Sequence, residues 1–379
     1  MRILTVDIGT GTQDIFLFDT RLDVENGYKM VLPAPTMMVY HRIQQATREK
    51  RPVLLAGVTM GGGPSAWAAE AHVKAGLPVY ATPSAAHTFN DDLATVQASG
   101  IMVVSEDEAA RLSSQVEKLE LKDFDYPAIR RTFEAFGLSL DNLSAVAVAV
   151  FDHGAAPPGL SDRKFRFDYL DRRIRAENKL SAFAYQKGMI PGVMTRLQAV
   201  ADSAGEVDAP LIVMDTAPAA VLGATYDPQV SGLQRKIIAN IGNFHTLAFR
   251  LGPAGIEGVF EHHTGFLTAS KLESLIQSMA GSTLKNEDVF GDQGHGALIY
   301  SQDPLPLHPG DGNLVITGPR RNMLSGSKMR PYFAVPFGDM MITGCFGLLS
   351  AVADQLLDLR EPVLNALTNS TGAGRPPWE

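Results

Sequence analysis

The sequence contains a single cysteine, Cys345, among its 379 residues. One cysteine excludes an intramolecular disulfide, a cysteine-rich zinc site and an iron–sulfur cluster held by the chain's own thiolates. Its neighbours Gly344 and Phe346 are typical of a buried position, where a free cysteine acts as a small apolar residue. The chemistry of the protein therefore has to rest on other side chains.

Long hydrophobic runs and an excess of positive charge are also missing. The longest apolar run, 145–151, is far too short to span a membrane, and the run that starts at Ile3 meets Asp7 too early for a signal peptide. Lysine and arginine number 33 against 41 aspartates and glutamates, a net charge of −8, which argues against a broad nucleic-acid surface. We expect a cytoplasmic protein that binds neither membranes nor nucleic acid. Assembly into a homo-oligomer is compatible with the sequence.

The chain is long enough for two domains at about 150 residues each, and its segments alternate between strand-like and helical patterns. This alternation indicates an α/β fold. We predict a first α/β domain at 1–205 with an insertion at about 61–175, a second at 206–340, and a helix from 341 that returns to the first domain before a flexible glycine- and proline-rich tail. Further predictions are a charged helical region at 107–136, a helix at 341–359, and strands at 53–59, 145–151, 211–214 and 314–317.

The segment 3–18 is predicted to form a strand, a tight turn and a second strand. Glycines in the turn let the backbone bend around a ligand, and its amides and hydroxyls are suited to hold an anion. Asp7 and Asp14 flank the turn, and a carboxylate beside phosphates typically holds Mg²⁺. An ordinary glycine-containing hairpin is the alternative. The candidate ligand-binding residues of the turn are Gly9, Thr10, Gly11 and Thr12.

A second strand, turn and strand begins at Ile237 and repeats this pattern. It again has an apolar run, a polar residue, an Ile-Gly pair and a polar turn that ends in threonine. The repeat indicates a weak duplication, with one phosphate-loop-like hairpin in each half. Its candidate residues are Asn240, Gly242, Asn243 and Thr246.

Five segments in a fixed order resemble the motifs of the actin-like ATPase superfamily, which includes sugar kinases, actin and the seventy-kilodalton heat-shock chaperones. Residues 3–19 and 237–250 resemble the two phosphate motifs, and 215–224 and 344–348 resemble the two connecting helices. The segment 315–320 resembles the adenosine motif and contains Gly318, Pro319 and Arg320. The resemblance implies a duplicated ribonuclease H-like fold of two domains, with ATP and Mg²⁺ in the cleft between them.

The resemblance also implies roles for individual residues. Asp7 would orient Mg²⁺ and its water shell, and the two turns would hold the phosphates from both sides. Asp215 would position a water or accept a proton, and it is also a candidate N-cap for the following helix. Asn240 stands where the superfamily usually has aspartate, and Pro319 replaces a glycine.

These features favour an ATP- and Mg²⁺-dependent phosphotransferase or ATPase whose acceptor, a small molecule or a protein, is unknown. One alternative is a nucleotide-dependent switch without enzymatic activity, which the loss of the aspartate at Asn240 favours. A second alternative is a metal-dependent enzyme that uses a cluster of histidine and aspartate with a vestigial nucleotide site.

Histidine and aspartate are the residues that could form such a cluster. Surface or capping histidines are the alternative, and adjacent His262 and His263 point to opposite faces of a strand, so at most one faces a given site. We hypothesise that His263, His295 and Asp152 approach the acceptor end of the cleft, where a transition metal could bind. The full candidate set is Asp152, His153, His245, His262, His263 and His295.

Three further stretches, 60–64, 261–265 and 317–321, give a narrower resemblance to a family often labelled as pyruvate formate-lyase activating enzymes. That label implies radical chemistry on a four-iron cluster held by three cysteines, which a chain with one cysteine cannot supply. The glycine loop 61–63 is interpreted equally as an anion site or as close helix–strand packing. The basic run 163–175 is interpreted as a solvated helix face.

Overall fold

The computed structural model describes residues 1–368, so the predicted flexible tail lies outside the described residues. Within this range sixteen strands form two six-stranded sheets and one four-stranded sheet. In chain order they are β1 (Arg2–Ile8), β2 (Thr12–Asp19), β3 (Tyr28–Pro33), β4 (Val53–Gly57), β5 (Val79–Ala81), β6 (Met102–Val103), β7 (Glu117–Leu121), β8 (Ala145–Val150), β9 (Ala184–Gln186), β10 (Leu211–Asp215), β11 (Lys236–Ile241), β12 (His245–Gly252), β13 (Gly255–His263), β14 (Gly296–Ile299), β15 (Leu314–Thr317) and β16 (Tyr332–Phe333).

Fourteen α-helices complete the described part of the chain, and none of them has the length and apolar character that a membrane span requires. They are α1 (Pro35–Arg48), α2 (Pro64–Lys74), α3 (Pro83–Ala86), α4 (Leu93–Ala98), α5 (Glu106–Arg111), α6 (Tyr126–Ala135), α7 (Asp162–Ala176), α8 (Thr195–Ser203), α9 (Thr216–Ala224), α10 (Pro228–Ser231), α11 (Ala269–Ala280), α12 (Asn286–Phe290), α13 (Thr343–Gln355) and α14 (Leu357–Thr368).

The first six-stranded sheet has the order β3-β2-β1-β8-β10-β9. Strand β1 pairs antiparallel with β2 and parallel with β8, and β10 continues the parallel set. Strand β8 alternates alanine and valine, so its two buried faces differ in size. Its alanines face the core that contains α13, and its valines face the core of α6 and α8. The small alanine side chains leave room for α13 to pack against the sheet.

The second six-stranded sheet has the order β14-β13-β12-β11-β15-β16. Five of its strands, β13-β12-β11-β15-β16, repeat the order β3-β2-β1-β8-β10 of the first sheet, while β14 and β9 are added at opposite edges. Its first strand, β11, pairs antiparallel with β12 and parallel with β15, just as β1 pairs with β2 and β8. One face packs against α7 and α9 and the other against α11. This five-stranded order, present once in each sheet, is the duplicated ribonuclease H-like unit. The predicted two-domain actin-like fold is therefore confirmed.

Helices α9 and α13 cross closely between the two sheets. A Cβ atom on Gly223 would overlap the Thr343 carbonyl, and one on Gly347 would overlap the Ala219 carbonyl. The two glycines therefore allow backbone-to-backbone contact where the halves of the molecule meet. The predicted helix 341–359 is broken near Leu356, which separates α13 from α14.

A smaller parallel sheet, β6-β5-β4-β7, packs against α1 and α2. The prediction of continuous helix over 107–136 is wrong, because β7 lies between α5 and α6. In β7 the buried residues Leu119 and Leu121 alternate with charged ones, which is the period of a strand, and the abundance of charge hid this pattern.

Two elements of the chain lie on the opposite side of the predicted boundary near residue 206. Strand β10 follows that boundary in sequence, yet it pairs with β8 in the first sheet. Helix α7 precedes the boundary, yet Phe167, Leu170 and Ile174 pack in the core of the second sheet. The chain thus crosses between the halves more often than a division by sequence suggests.

Candidate active site in the cleft between the halves

The two glycine turns face a shared cavity of about 190 Å³ between the six-stranded sheets. The turns have the same internal hydrogen bond: the Gly9 amide donates to the Thr12 carbonyl at 2.9 Å, and the Gly242 amide donates to the His245 carbonyl at 2.9 Å. The predicted residues that line the cavity are Asp7, Gly9, Thr10, Thr12, Asp14, Asn240, Gly242, Asn243, Gly318, Pro319, His153 and His245.

Three predicted binding residues do not border this cavity. Gly11 lies at the tip of the first turn, where an added Cβ would overlap Asn243 Nδ2 of the second turn. Thr246 is buried behind the second turn with its hydroxyl 2.9 Å from that of Thr264. Arg320 donates its amide to the Ile241 carbonyl at 3.0 Å and leaves its side chain exposed. Gly11 therefore lets the two turns approach each other, and the other two support the backbone.

Asp7 and Asp14 are cross-strand partners at the cavity end of β1 and β2. The Thr216 hydroxyl donates to Asp7 Oδ1 at 2.5 Å, whereas the buried Oδ1 of Asp14 has no hydrogen-bond partner among residues 1–368. Burial, opposed by the Thr216 bond and reinforced by Asp215, raises the pKa of Asp7 to about 7. Burial and the charge of Asp7 raise the pKa of Asp14 to about 8. Paired carboxylates that resist ionisation fit a site for a hard cation such as Mg²⁺, because the cation would supply the missing positive charge.

Asp215 is engaged on both of its carboxylate oxygens. Oδ1 accepts from the Ala217 amide at 3.0 Å, which is the predicted N-cap of α9, and Oδ2 accepts from Arg166 Nη1 at 2.6 Å. Arg166 also donates through Nε to Glu261 Oε2 at 2.6 Å and is almost fully buried. Each Asp215 oxygen thus already accepts one hydrogen bond, and the ion pair with Arg166 favours a positioning role over that of a base.

The expectation that the basic run 163–175 is a solvated helix face is wrong for Arg166. Its neighbours Lys164 and Arg175 are exposed, but Arg166 shares a face of α7 with Leu170 and Ile174 at helical spacing. That spacing was the sequence signal that could have identified it. Burial opposes its charge, but Asp215 and Glu261 outweigh burial and hold the pKa of the guanidinium above its usual value.

The segment 317–319 closes another side of the cavity. Gly318 has φ +97°, and an added Cβ there would overlap Asn240 Oδ1. Glycine is therefore required both for the backbone conformation and for the approach of Asn240. Asn240 corresponds to Asp7 in the duplicated sheet, and its neutral amide borders the same cavity.

The glycine loop 61–63 lies beside the first turn and borders both this cavity and an adjoining cavity of about 1020 Å³. The Gly61 amide donates to the carboxylate of Asp123 at 3.2 Å, and Arg196 binds the same carboxylate through Nε at 2.7 Å. Arg196 lines both cavities. The sequence does not predict its role, because Arg196 and Asp123 are 73 residues apart and share no local pattern.

Three of the candidate histidines come together at one end of the cleft. Ligand atoms of His153, His245 and His295 all lie within 4.8 Å of one another. The ring centroid of His263 lies 4.6 Å from that of His295, so His263 faces this histidine cluster. Burial, followed by the neighbouring positive charges, lowers the pKa of His153 to about 3 and lowers those of His245 and His295. The rings are therefore neutral.

The other two candidates have structural partners elsewhere. His262 points away from the cluster, with Nε2 3.1 Å from Asp292 Oδ2, as expected for adjacent residues on a strand. Asp152 accepts from the amides of Gly154 and Leu197, each at 2.8 Å, and so orders the loop that follows β8. The hypothesis that Asp152 approaches the acceptor end through its side chain is not supported by these contacts, whereas His153 beside it does reach the cleft.

Comparison with solved structures gives low-identity, low-score matches along most of the chain. An activator of 2-hydroxyisocaproyl-CoA dehydratase from Clostridium difficile has 10% identity and a TM-score of 0.35, with 95% of this chain and 98% of that chain covered. The ethanolamine utilization protein EutJ from Carboxydothermus hydrogenoformans has 12% identity, a TM-score of 0.32, and coverage of 92% and 89%. An ROK hexokinase from Thermus thermophilus has 13% identity, a TM-score of 0.30, and coverage of 94% and 100%. No curated protein matches the chain.

A family model described as "Putative pyruvate format-lyase activating enzyme (DUF1786)" matches residues 60–323. Radical chemistry on an iron–sulfur cluster does not fit this chain. Cys345 is buried in α13, its thiol donates to the Asp14 carbonyl at 3.1 Å, and burial raises its pKa well above the usual value. A neutral, enclosed thiol is no cluster ligand. Since the match covers more than half of the chain, the chain belongs to this DUF1786 family.

Proposed function

We propose that the protein binds ATP with Mg²⁺ in the cleft and transfers or hydrolyses the γ-phosphoryl group. The observation that carries this proposal is the pair Asp7 and Asp14. Two buried carboxylates face each other at the base of one glycine turn, opposite a second glycine turn, and one oxygen lacks a partner. A chain that buries two such acids beside an open cavity gains by binding a cation there.

In this proposal each turn contributes its backbone to the phosphates. The turns that begin at Gly9 and Gly242 border the cavity, and the first also places Thr10 and Thr12 there, so backbone and two hydroxyls would be available to an anionic phosphate chain. Asp7, held by Thr216, would keep the cation in place, and Asp14 would complete the acidic side of the site. Bound Mg²⁺ would offset charge on the phosphate oxygens during transfer.

Asp215 acts in the proposal as a positioning residue. Its carboxylate fixes the start of α9 and the guanidinium of Arg166, and α9 carries Thr216 to Asp7. Loss of Asp215 would therefore displace Thr216 and leave Glu261 as the only carboxylate partner of Arg166. We expect an indirect effect on nucleotide binding together with a loss of stability.

A nucleotide-dependent switch without turnover is the second candidate, and Asn240 is the observation that favours it. An amide cannot bear the charge with which an aspartate would orient a cation or a water. Only one of the two hairpins is then equipped for chemistry, and binding could close the cleft without efficient hydrolysis.

Thermal-shift titration with ATP, ADP and Mg²⁺, followed by a phosphate-release assay, tests both candidates. We expect MgATP to raise Tm and Asp7→Asn to abolish that rise, because a ligand stabilises only the state that binds it. The matched control is Asp107→Asn, an exposed aspartate on α5, which should keep the full shift.

Phosphate release that depends on Asp7 supports the enzyme, whereas a shift without release supports the switch. An absence of any shift at millimolar MgATP in the folded wild-type protein would refute nucleotide binding and both candidates with it.

A further inference from the structure

The histidine cluster is assembled from both halves of the molecule. His153 follows β8 of the first sheet, whereas His245 begins β12 and His295 precedes β14 of the second. The Phe151 ring stacks on His245 with centroids 4.2 Å apart. The guanidinium carbon of Arg166 lies over the same Phe151 ring, 4.1 Å from its centroid. Three separate elements therefore bring their imidazoles to one point.

Ring nitrogens in this cluster are buried without partners. Within residues 1–368, His245 Nε2 and both ring nitrogens of His295 have no hydrogen-bond partner, and His295 is 1% exposed. A buried polar atom almost always has a hydrogen-bond partner, because moving such an atom out of water without a new partner costs free energy. One ring nitrogen from each of His153, His245 and His295 lies within 4.8 Å of the other two, so an ion that accepts several lone pairs would satisfy them together.

From this geometry we infer that His153, His245 and His295 bind a divalent transition metal of the zinc class and so link the two halves of the cleft. Imidazole nitrogens suit zinc, iron, nickel and copper, whereas Mg²⁺ prefers the oxygens of Asp7 and Asp14. The histidine site thus uses other ligands than the proposed Mg²⁺ site, although His153 and His245 border the same cavity, and its metal binding does not require nucleotide.

Glu261 is placed to support the site from behind. Its Oε1 lies 3.5 Å from His295 Nδ1, while its Oε2 accepts from Arg166. With the ion on the other nitrogen of His295, this carboxylate would fix the ring orientation, as the second partners of metal-bound histidines usually do. Three protein ligands leave a fourth position for water or substrate. His153 borders both cavities, so that position is reachable from the larger one.

The test is Zn²⁺ and Co²⁺ binding to the full chain after treatment with a chelator, without nucleotide. We expect one Zn²⁺ per chain by calorimetry, a visible Co²⁺ spectrum that Zn²⁺ displaces, and at least about 100-fold weaker Zn²⁺ binding in His153→Ala, His245→Ala and His295→Ala. His308→Ala, an exposed histidine, is the matched control and should bind like wild type.

Asp7→Asn should also keep full Zn²⁺ affinity, which separates this inference from the proposed function. Should a histidine variant fail to fold, X-ray absorption of the Zn²⁺-loaded wild-type protein gives the ligands directly: three imidazoles are expected, and two or fewer would overturn the assignment. Absence of stoichiometric binding, or equal affinity in folded histidine variants, would also overturn it and assign the cluster to packing.

Discussion

The hairpins β1–β2 and β11–β12 share one backbone design but carry different chemistry. Each has a glycine amide bonded to the carbonyl three residues later at 2.9 Å, and each opens on the same cavity. At the paired positions the first hairpin has Asp7 opposite Asp14, whereas the second has Asn240 opposite Leu247. Where the first turn ends in Thr12, the second has His245.

The comparison shows which features of the two hairpins are the same in both copies and which differ. The order of five strands, the turn hydrogen bond and the first glycine of the turn follow from backbone geometry and recur in both halves. The side chains that face the cavity are unconstrained by that geometry, so the first hairpin bears Asp7 and Asp14 whereas the second supplies Asn240 and His245. The two halves are therefore complementary rather than equivalent, and each of the following predictions alters one side of that division.

The largest effect is expected where one residue joins the two halves. Arg166 binds Asp215 beside the first sheet and Glu261 on the second, and Arg166→Met would leave two carboxylates buried without their cation. Removing one partner of a buried ion pair costs about 3–5 kcal/mol. Urea unfolding should show this loss, and Arg172→Ala on the exposed side of α7 is the control. A change below about 1 kcal/mol would contradict the view that Arg166 couples the halves.

The next prediction exchanges the acid between the hairpins. Asp7→Asn should lower the rate of phosphate release about 10²–10³-fold, the usual cost of losing one charge-stabilising group. Asn240→Asp alone adds an acid to the second hairpin, and the double variant moves the acid across the cleft. If the halves are complementary, the double variant stays inactive. Steady-state kinetics decides this, and recovery of activity in the double variant would show the hairpins to be interchangeable.

A smaller effect is expected at Gly344, where α13 meets the first hairpin. An added Cβ would overlap Asp7 Oδ2, so Gly344→Ala has to displace the Asp7 carboxylate. The second hairpin has the neutral Asn240 at the position that corresponds to Asp7. Overpacking of this kind costs about 1–3 kcal/mol. Gly232→Ala has open space around its Cβ and is the control for stability. Mg²⁺ affinity should fall in Gly344→Ala and stay unchanged in the control, as calorimetry would show.

The fold could be predicted from the sequence because both hairpins, β8 and β15 have strong local patterns. An apolar run bounded by Gly, Asp and Thr identifies each strand, and the five segments in order carry the resemblance that predicts the fold. Strand β7 was missed because tertiary burial of Leu119 and Leu121 decided its state against a charge-rich composition.

The site was predictable only in part, because local spacing indicates a turn but not what packs against it. Asp7 and Asp14 could be paired from the hairpin pattern alone. The contact of Arg166 with Glu261 spans 95 residues, and that of Arg196 with Asp123 spans 73. No sequence window contains such pairs. His153 and His295 belong to different halves, so their proximity depends on how the two sheets are joined.

The smallest effect concerns the pH dependence of the acidic hairpin without metal. Asp7 and Asp14 have pKa values raised from 3.8 to about 7 and about 8, with Asp215 and Asp339 as the charged groups that add to the effect of burial. Between these limits the folded state binds more protons than the unfolded state, so its stability falls as pH rises from about 4 to about 8. We expect this pair to account for much of the fall in chelator-treated protein. The double variant Asp7→Asn/Asp14→Asn should show a flatter profile in urea unfolding, and Mg²⁺ should restore wild-type stability at about pH 8 but not that of the variant. An equally steep profile in the variant would mean that Asp7 and Asp14 are not the groups whose raised pKa values cause the fall in stability. The contrast with the neutral second hairpin would then have no electrostatic basis.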